Sequence, residues 1–372
     1  MSRDLKSELF TRTRPAELFE DLGDGRLRCL ACAHRCPISE GHDGVCKVRG
    51  VRDGVLRAPT GYVAGLQVDP IEKKPLNHFF PGTSVLSLGT AGCNLGCKFC
   101  QNHDISKSRR MDALQSVATP EAVVEAAVAH DCKSIAFTYN DPTIWAEYAI
   151  DIARAARAAG VKTVAVTAGY ISPEPRRAFY DCMDAANVDL KGFSETFYRK
   201  LTQTSLRPVL DTIAYIANET RCWLELTTLV IPGENDSDDE LRAMCRWVVD
   251  HVGRDVPMHF TAFHPDYRID RILFREIVAD PDHCQPIGAL FGHHGVEFER
   301  RAFGRKGLIV VARAAETPDV ACSSRISRPR LKSRGSVQFR STKSVEPRNL
   351  RSLGAISRNS PIRFLSFMSI TG

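Results

Sequence analysis

The chain has 372 residues, of which 43% are hydrophobic and 25% are charged. This length allows one large domain or two ordinary ones, and the composition is typical of soluble globular proteins. The formal net charge is +6, but residues 321–372 carry 11 Lys or Arg and one acid, whereas residues 1–320 carry 39 basic and 43 acidic side chains. Because the positive charge belongs to the tail, a nucleic-acid partner is not indicated.

The amino-terminal segment indicates where the protein resides. Residues 1–6 (MSRDLK) lack the apolar stretch of a signal peptide, and no later run approaches the roughly 20 apolar residues of a membrane helix. We therefore expect a cytoplasmic protein without a membrane partner. Among its 13 cysteines, clustered thiols are then more often metal ligands than disulfides. Six isolated cysteines are expected to be buried and unreactive: Cys132, Cys182, Cys222, Cys245, Cys284 and Cys322.

The first motif along the chain is a group of four cysteines with the spacing C-x2-C-x3-C-x9-C. Its members are Cys29, Cys32, Cys36 and Cys46. In a chain without expected disulfides, this spacing is a strong pattern for a metal site. Zinc and an iron–sulfur cluster both accept four thiolates, and the spacing alone does not decide between them. Unliganded structural thiols are the alternative.

From about residue 82 to residue 268, apolar β-type runs alternate with helical patterns. The predicted strands are Val85–Leu88, Ser134–Tyr139, Lys162–Thr167, Val188–Leu190, Trp223–Ile231 and Met258–Phe263. The predicted helices are Pro120–Cys132, Pro142–Ala159, Pro173–Met183, Pro208–Thr220 and Asp238–Val252. Thr119 before Pro120 and the capping box at Ser237–Glu240 mark two of the helix starts. About six β-α units in series predict a parallel sheet, either doubly wound or curled into a barrel.

Polar or glycine-containing segments follow the predicted strands. They are Gly89–Cys93, Asn140-Asp141, Thr167–Gly169, Asp189–Lys191, Pro232-Gly233 and His264–Asp266. Enzymes with parallel sheets carry their chemistry at the carboxyl ends of the strands. We therefore expect these segments to converge on one rim. His264 is a candidate substrate contact there, although a structural histidine is the alternative.

The segment Cys93–Cys100 (CNLGCKFC) is a C-x3-C-x2-C loop directly after the first predicted strand. Three thiolates at this spacing can hold three irons of a [4Fe–4S] cluster, whereas electron-transfer clusters use four cysteines. The fourth iron then stays open to the amino and carboxylate groups of a small molecule. A zinc knuckle, with His103 as a conceivable fourth ligand, or three incidental thiols are the alternatives.

This loop, with the aromatic Phe99 before its third cysteine, resembles the signature of the radical S-adenosylmethionine (SAM) superfamily. The resemblance implies that Cys93, Cys97 and Cys100 bind a [4Fe–4S] cluster and that Phe99 lies at the cofactor. It also implies cleavage of SAM to methionine and a 5′-deoxyadenosyl radical, which abstracts hydrogen from a substrate. The implied fold is α/β, a partial (β/α)6 TIM-like barrel with SAM lying across the strand ends.

Three further segments look like the AmmeMemoRadiSam-system radical SAM enzymes, relatives of the pyruvate formate-lyase activating enzymes. They are Asp69–Gly82, Gly89–Asn94 and Cys100–Ser106, and the resemblance spans roughly residues 27–268. It implies a cofactor-binding role for five residues at the rim, which are Asn140, Asp141, Thr167, Asp189 and Lys191. Asp141 stands in place of a family Glu and is one methylene shorter, and it is also a good helix N-cap before Pro142. Ala168 stands in place of an Asn, so one polar side chain is missing.

Four parts of the chain are predicted. They are an N-terminal Cys-rich metal-binding region with its lead-in (1–80), a radical SAM β/α core (81–268), a degenerate C-terminal part of the core (269–320) and a basic Ser/Arg-rich tail (321–372). One further strand is possible at Gly307–Ala315. The tail has 12 Ser among 52 residues, and we expect it to be disordered. The family pattern fades after residue 268, so a shifted reading frame is a hypothesis for the end of the chain.

The sequence therefore predicts a radical SAM enzyme with an unknown substrate. A glycyl-radical enzyme activase of the pyruvate formate-lyase activating type is one alternative, and a catalytically impaired metal-binding scaffold is another. The chemistry requires a low-potential electron donor of the flavodoxin or ferredoxin type. The resemblance adds Memo-like and Amme-type system proteins as candidate partners.

Overall fold

The computed structural model describes residues 11–107, 116–265, 267–269, 296–303 and 307–314, with the backbone alone for 116–117, 296–303 and 307–314. Its strands are β1 (Thr13–Pro15), β2 (Phe19–Asp21), β3 (Arg26–Cys29), β4 (Pro37–Ser39), β5 (Gly50–Arg52), β6 (Val55–Pro59), β7 (Tyr62–Val63), β8 (Gly65–Pro70), β9 (Ser84–Gly89), β10 (Ser116–Val117), β11 (Ser134–Phe137), β12 (Lys162–Thr167), β13 (Ala185–Asp189), β14 (Trp223–Val230), β15 (Met258–Ala262), β16 (Val296–Phe303) and β17 (Gly307–Ala314). Its α-helices are α1 (His103–Ser106), α2 (Pro120–Ala129), α3 (Ala146–Ala158), α4 (Pro173–Tyr180), α5 (Glu195–Phe197), α6 (Arg207–Glu219) and α7 (Asp238–His251). Single helical turns of the 3₁₀ type span Ile71–Lys73 and Pro142–Trp145, and a π-helical turn spans Tyr198–Thr202.

A nine-stranded sheet holds the β-α units together, in the order β16-β17-β15-β14-β13-β12-β11-β9-β8. Its central strands β9 and β11 to β15 are six parallel neighbours, while β8, β17 and β16 are antiparallel at the two edges. The predicted α/β fold with six parallel strands is therefore confirmed. The sheet also includes β8, which lies before the boundary predicted at residue 81.

Side chains of the parallel strands alternate between two layers. Ile135 and Phe137 of β11 join the large core beneath the helices, whereas Ala136 belongs to a cluster on the inner face. A period of two is what a strand imposes on its side chains. Burial on both faces explains why these strands look like continuous apolar runs in the sequence.

The helix face predicted for residues 142–159 is the face that packs on the sheet. Tyr148, Ile152 and Ala156 are fully buried along α3. Burial of an aliphatic or aromatic side chain of this size stabilises the fold by about 1.5–3 kcal/mol. The first turn differs from the prediction, because residues 142–145 form a 3₁₀ turn before the α-helix begins at Ala146.

Two element boundaries differ from the prediction for physical reasons. The helix predicted to reach Cys132 ends at Ala129, because Asp131 adopts a left-handed backbone conformation with φ of 51°. The strand predicted at Val188–Leu190 is Ala185–Asp189, because small residues such as Ala185 fit a strand that is buried on both faces. The predicted N-caps are confirmed, since Thr119 and Ser237 accept backbone hydrogen bonds from Ala122 and Glu240.

Residues 71–79, here called the plug segment, cover the inner face of the sheet at the amino-terminal ends of its strands. Ile71 and Leu76 are fully buried against an apolar cluster that includes Val85 and Ala185, which lie near the first residues of β9 and β13. The plug segment therefore closes the end of the sheet opposite to the strand ends where chemistry is expected.

The N-terminal region forms two small antiparallel sheets, β1-β6-β5 and β2-β3-β4, with a small core of its own. A buried ion pair joins it to the rest of the fold. Both terminal nitrogens of Arg49 lie 2.7 Å from the carboxylate oxygens of Glu147 on α3, and the two side chains are 1% and 4% exposed. This bidentate geometry fixes the region against α3.

The possible strand at Gly307–Ala315 is confirmed as β17, which pairs with β15 and with β16. Most of the predicted degenerate part (269–320) and all of the tail (321–372) lie outside the described residues, and so does the frame-shift hypothesis. Within the described ranges, none of the helices is long and apolar enough to cross a membrane.

Candidate active site

The carboxyl ends of the parallel strands lie side by side, as the register shows. Leu88 of β9 pairs with Phe137 of β11, and Thr167 of β12 pairs with Val188 of β13. The segments that follow these strands therefore start at one edge of the sheet. The predicted convergence of the polar segments on one rim is borne out for these four strands.

The cysteine loop (residues 89–100) leaves β9 through a glycine turn that packs on the N-terminal region. Gly92 has φ of +78°, and a Cβ atom there would lie less than 3.0 Å from the carbonyl oxygen of Cys46 and from the side chain of Val48. His34 lies 2.8 Å from the carbonyl oxygen of the buried Asn94 through its Nε2 atom. These contacts place the four-cysteine region directly against the loop.

The central thiol of the loop interacts with the other two thiols and with two lysines. Burial raises the pKa of the Cys97 thiol to about 12, the neighbouring Cys93 and Cys100 raise it further, and Lys191 and Lys107 oppose the rise. The backbone N–H of Leu95 donates to Cys93 Sγ at 3.5 Å. The loop therefore holds Cys97 within electrostatic range of its other two thiols and of positive charge, and gives Cys93 a backbone donor.

Asn140 holds the backbone of the loop from the end of β11. Its Nδ2 atom donates to the carbonyl oxygens of Gly92 at 2.8 Å and of Thr90 at 2.9 Å, and its Oδ1 atom accepts from Trp145 Nε1 at 3.1 Å. The amide is buried and fully used by the protein. This geometry makes Asn140 a positioning residue for the loop.

Asp141 joins the ends of β11 and β12. Its buried carboxylate accepts hydrogen bonds from the backbone N–H groups of Thr143 at 2.9 Å and Ala168 at 3.0 Å, and from the Thr167 hydroxyl at 3.2 Å. Burial raises the pKa of Asp141, while these donors lower it. The helix-cap role that the sequence left open for Asp141 is confirmed. The carboxylate of Asp141 and the hydroxyl of Thr167 are therefore both hydrogen-bonded to other groups of the protein.

Asp189 and Lys191 form a partly exposed ion pair at the end of β13, with Lys191 Nζ 2.7 Å from the carboxylate of Asp189. Lys191 Nζ also lies 5.9 Å from the ring centroid of Phe99, which is buried beside Phe197. His264 is exposed beyond β15 and contacts the carbonyl oxygen of Pro265. The Asp189–Lys191 ion pair is therefore partly exposed and lies, through Lys191, beside the loop residue Phe99.

Three of the four cysteines, Cys29, Cys32 and Cys36, lie at the turn between β3 and β4, and Cys46 lies between β4 and β5. The backbone N–H of Cys29 donates to the carbonyl oxygen of Cys36 at 2.9 Å. Burial raises the pKa of Cys32 well above the usual value for a thiol, and the neighbouring thiols of the other three cysteines raise it further. Cys32 therefore lies within electrostatic range of the other three thiols.

Several residues at the site carry no signal in the sequence. Arg49, whose guanidinium interacts electrostatically with Cys29 and Cys46, is one arginine among many. His34 and Lys107 also contact the cysteine loop through its backbone, at Asn94 and Leu95. The sequence offers only a weak indication of such contacts, which is that glycines and charged residues are frequent next to the two cysteine groups.

We expect Gly92→Ala to destabilise the protein and lower its iron content, because a methyl group there meets the Cys46 carbonyl in a left-handed backbone conformation. Gly160→Ala is the matched control, since Gly160 has φ of +73° and open space around it. The left-handed strain of about 1–2 kcal/mol is common to both. Thermal unfolding and iron analysis should therefore show a larger loss for Gly92→Ala. Equal losses would mean that the Gly92 contact is unimportant.

Comparison with known proteins supports the interpretation of the cysteine loop. Residues 87–245 match the Radical SAM superfamily. The chain is 42% identical over 258 residues to the uncharacterized protein MJ0808 of Methanocaldococcus jannaschii, covering 69% of this chain and 76% of that protein. Two solved structures are similar at lower levels. TYW1 with a lysine-pyruvate adduct bound shows 14% identity and a TM-score of 0.47 over 67% of this chain and 90% of that one. Coproporphyrinogen III oxidase (HemN) from Escherichia coli shows 10% identity and a TM-score of 0.41 over 60% and 54%. The family match over residues 87–245, which includes the three-cysteine loop, shows that the chain contains a domain of the radical SAM superfamily of enzymes.

Proposed function

We propose that this enzyme uses SAM and a [4Fe–4S] cluster held by Cys93, Cys97 and Cys100 to abstract hydrogen from a substrate. The observation that carries the proposal is the C-x3-C-x2-C loop at the carboxyl end of β9, in which Cys97 interacts electrostatically with the other two thiols and with Lys107 and Lys191. When bound, the cluster and SAM supply a 5′-deoxyadenosyl radical.

The residues present fit such a group. Three thiolates carry three negative charges, and the two lysines offset part of that charge. The donor from Leu95 to Cys93 Sγ is of the kind that tunes iron–sulfur centres. Burial raises the pKa of the Cys93 and Cys97 thiols, so loading them with iron must release protons and is favoured by higher pH.

The rim residues divide into two roles in this proposal. Asp189 and Lys191 are the direct contacts for SAM, because their side chains are partly exposed and Lys191 lies beside Phe99. Asn140 and Asp141 act through the loop and the strand ends that they hold, because their polar atoms are already bonded within the protein. Thr167 supports Asp141 in the same way.

We also propose that the four cysteines Cys29, Cys32, Cys36 and Cys46 hold a second metal site, either a zinc ion or an iron–sulfur cluster. The other three thiols interact electrostatically with Cys32, whose pKa is raised chiefly by burial, and this supports the proposal. Four thiolates suit both kinds of site.

Within the superfamily, we propose that the enzyme belongs to the AmmeMemoRadiSam system, with Memo-like and Amme-type proteins as partners. The segments Asp69–Gly82 and Cys100–Ser106 support this assignment. A flavodoxin or ferredoxin would supply the low-potential electron. The glycyl-radical activase remains the second candidate, and a glycyl radical signal in a partner protein would distinguish it.

Anaerobic reconstitution with iron and sulfide, followed by dithionite and SAM, tests the function. We expect 5′-deoxyadenosine and methionine in equal amounts, and neither product when dithionite is left out. A fully loaded, folded protein that forms no 5′-deoxyadenosine would contradict the proposal and favour the metal-binding scaffold.

A further inference from the structure

Two imidazoles and one carboxylate meet at the end of the sheet opposite the cysteine loop. His78 belongs to the plug segment, while Glu225 and His259 lie near the amino-terminal ends of β14 and β15. The side chains of Glu225 and His259 are 0% exposed and that of His78 is 13% exposed. Within the described part of the chain, these three form the set whose ligand atoms all lie within 4.8 Å of one another.

We infer that His78, Glu225 and His259 form a binding site for one divalent transition-metal ion of the zinc class, which fastens the plug segment to β14 and β15. The site is independent of the proposed radical chemistry, because it lies at the other end of the parallel strands. Its role is structural, since the ligands come from three separate elements that the ion would connect.

The spacing of the ligand atoms is close to what such an ion requires. Oε2 of Glu225 lies 2.6 Å from Nε2 of His259 and 3.3 Å from Nδ1 of His78. Nitrogen and oxygen ligands about 2.1 Å from a tetrahedral zinc ion are about 3.4 Å apart. One pair already has this separation, and the other pair needs to open by less than about 1 Å.

Three hydrogen bonds, separate from the two imidazole contacts, hold the carboxylate of Glu225. Oε1 accepts from the backbone N–H of His78 at 2.9 Å and from Trp223 Nε1 at 3.0 Å, and Oε2 accepts from the backbone N–H of Asn77 at 3.0 Å. An ion would displace only the two imidazole contacts. These three donors can all stay in place and orient the ligand.

The second nitrogen of His259 also has a partner, as metal-bound histidines usually do. Its Nδ1 atom lies 3.3 Å from the side-chain amide of Asn77. The oxygen and nitrogen of that amide can exchange places by a flip, so Asn77 can accept from Nδ1–H when Nε2 binds a metal. By contrast, His78 Nε2 is buried without a hydrogen-bond partner among the described residues, so hydrogen bonding there does not account for the burial of that ring.

Charge favours the same interpretation. Within the described ranges, the ion pairs of Glu225 are with His78 and His259. A buried carboxylate requires a compensating positive charge, and a divalent ion supplies it without protonation of either ring. Two imidazoles with one carboxylate suit zinc and its neighbours, whereas magnesium and calcium prefer oxygen ligands alone.

Metal analysis of the reconstituted enzyme tests the inference. The protein is first loaded with iron and sulfide so that its cysteine groups are occupied, then exposed to zinc and freed of loosely bound metal. We expect about one zinc per wild-type chain and at least about tenfold weaker zinc binding in Glu225→Gln and His259→Gln. His251→Gln, which changes an exposed histidine at the end of α7, is the matched control and should retain its zinc.

X-ray absorption at the zinc edge of the wild-type protein provides a measurement that does not depend on the folding of a variant. Nitrogen and oxygen neighbours alone are expected, whereas sulfur neighbours would assign the zinc to cysteines and overturn the inference. Wild-type protein that retains no zinc, or a folded Glu225→Gln that retains all of it, would also overturn it. Both outcomes are separate from 5′-deoxyadenosine formation, which tests the radical chemistry.

Discussion

Replacing Cys97 by Ala is expected to abolish 5′-deoxyadenosine formation and to remove about four iron atoms per chain. Cys97 is the buried central thiol of the loop, between Cys93 and Cys100. Loss of a residue that only supports a metal ligand weakens binding about 10–100-fold, so loss of the ligand should lower activity by more than about 100-fold. Iron analysis and product analysis under anaerobic conditions measure both effects.

Cys132→Ala is the control for this experiment, because Cys132 is a buried thiol beyond the end of α2 whose sulfur donates to the carbonyl oxygen of His130 at 3.8 Å. Its iron content and product yield should equal those of the wild type. The assignment of the loop would be wrong if Cys97→Ala kept its full iron content, or if Cys132→Ala lost as much.

The second large effect is expected at the buried ion pair that joins the N-terminal region to α3. Arg49→Met or Glu147→Met leaves one charge buried without its partner, which costs about 3–5 kcal/mol. For a protein of this size, that corresponds to a decrease in Tm of about 4–6 °C. Thermal unfolding of the anaerobic, iron-loaded protein measures the decrease.

The double variant Arg49→Met/Glu147→Met is expected to be more stable than either single variant, since no unpaired charge stays in the interior. Arg207→Ala provides the exposed control, because Arg207 pairs with Asp211 on the surface of α6 and such pairs contribute about 0–1 kcal/mol. Single variants with an unchanged Tm would show that water reaches the pair. A double variant less stable than both would show that the two side chains contribute mainly by packing.

The β-α series could be predicted because each of its elements has a local signal. Lys162–Thr167 is a strand with the predicted bounds, and Ser237 caps α7 as expected. The N-terminal strands, such as β3, and the edge strand β16 were not predicted. Their sequences are short or rich in charged residues, so no hydrophobic period marks them.

The cysteine spacing and the alternation of strands and helices were enough to identify a radical SAM enzyme, because the ligands lie within eight residues and the strand ends follow from the fold class. Only the tertiary structure decided which groups the polar rim residues contact. Asn140 is hydrogen-bonded to the cysteine loop and Asp141 to Ala168, and both contacts depend on the register of separate strands. The meeting of His78, Glu225 and His259 was likewise decided by tertiary packing, since their sequence separations of 147 and 34 residues carry no local signal. Ligands that lie close in sequence leave a readable spacing, whereas groups that meet through packing become visible only when the chain is folded.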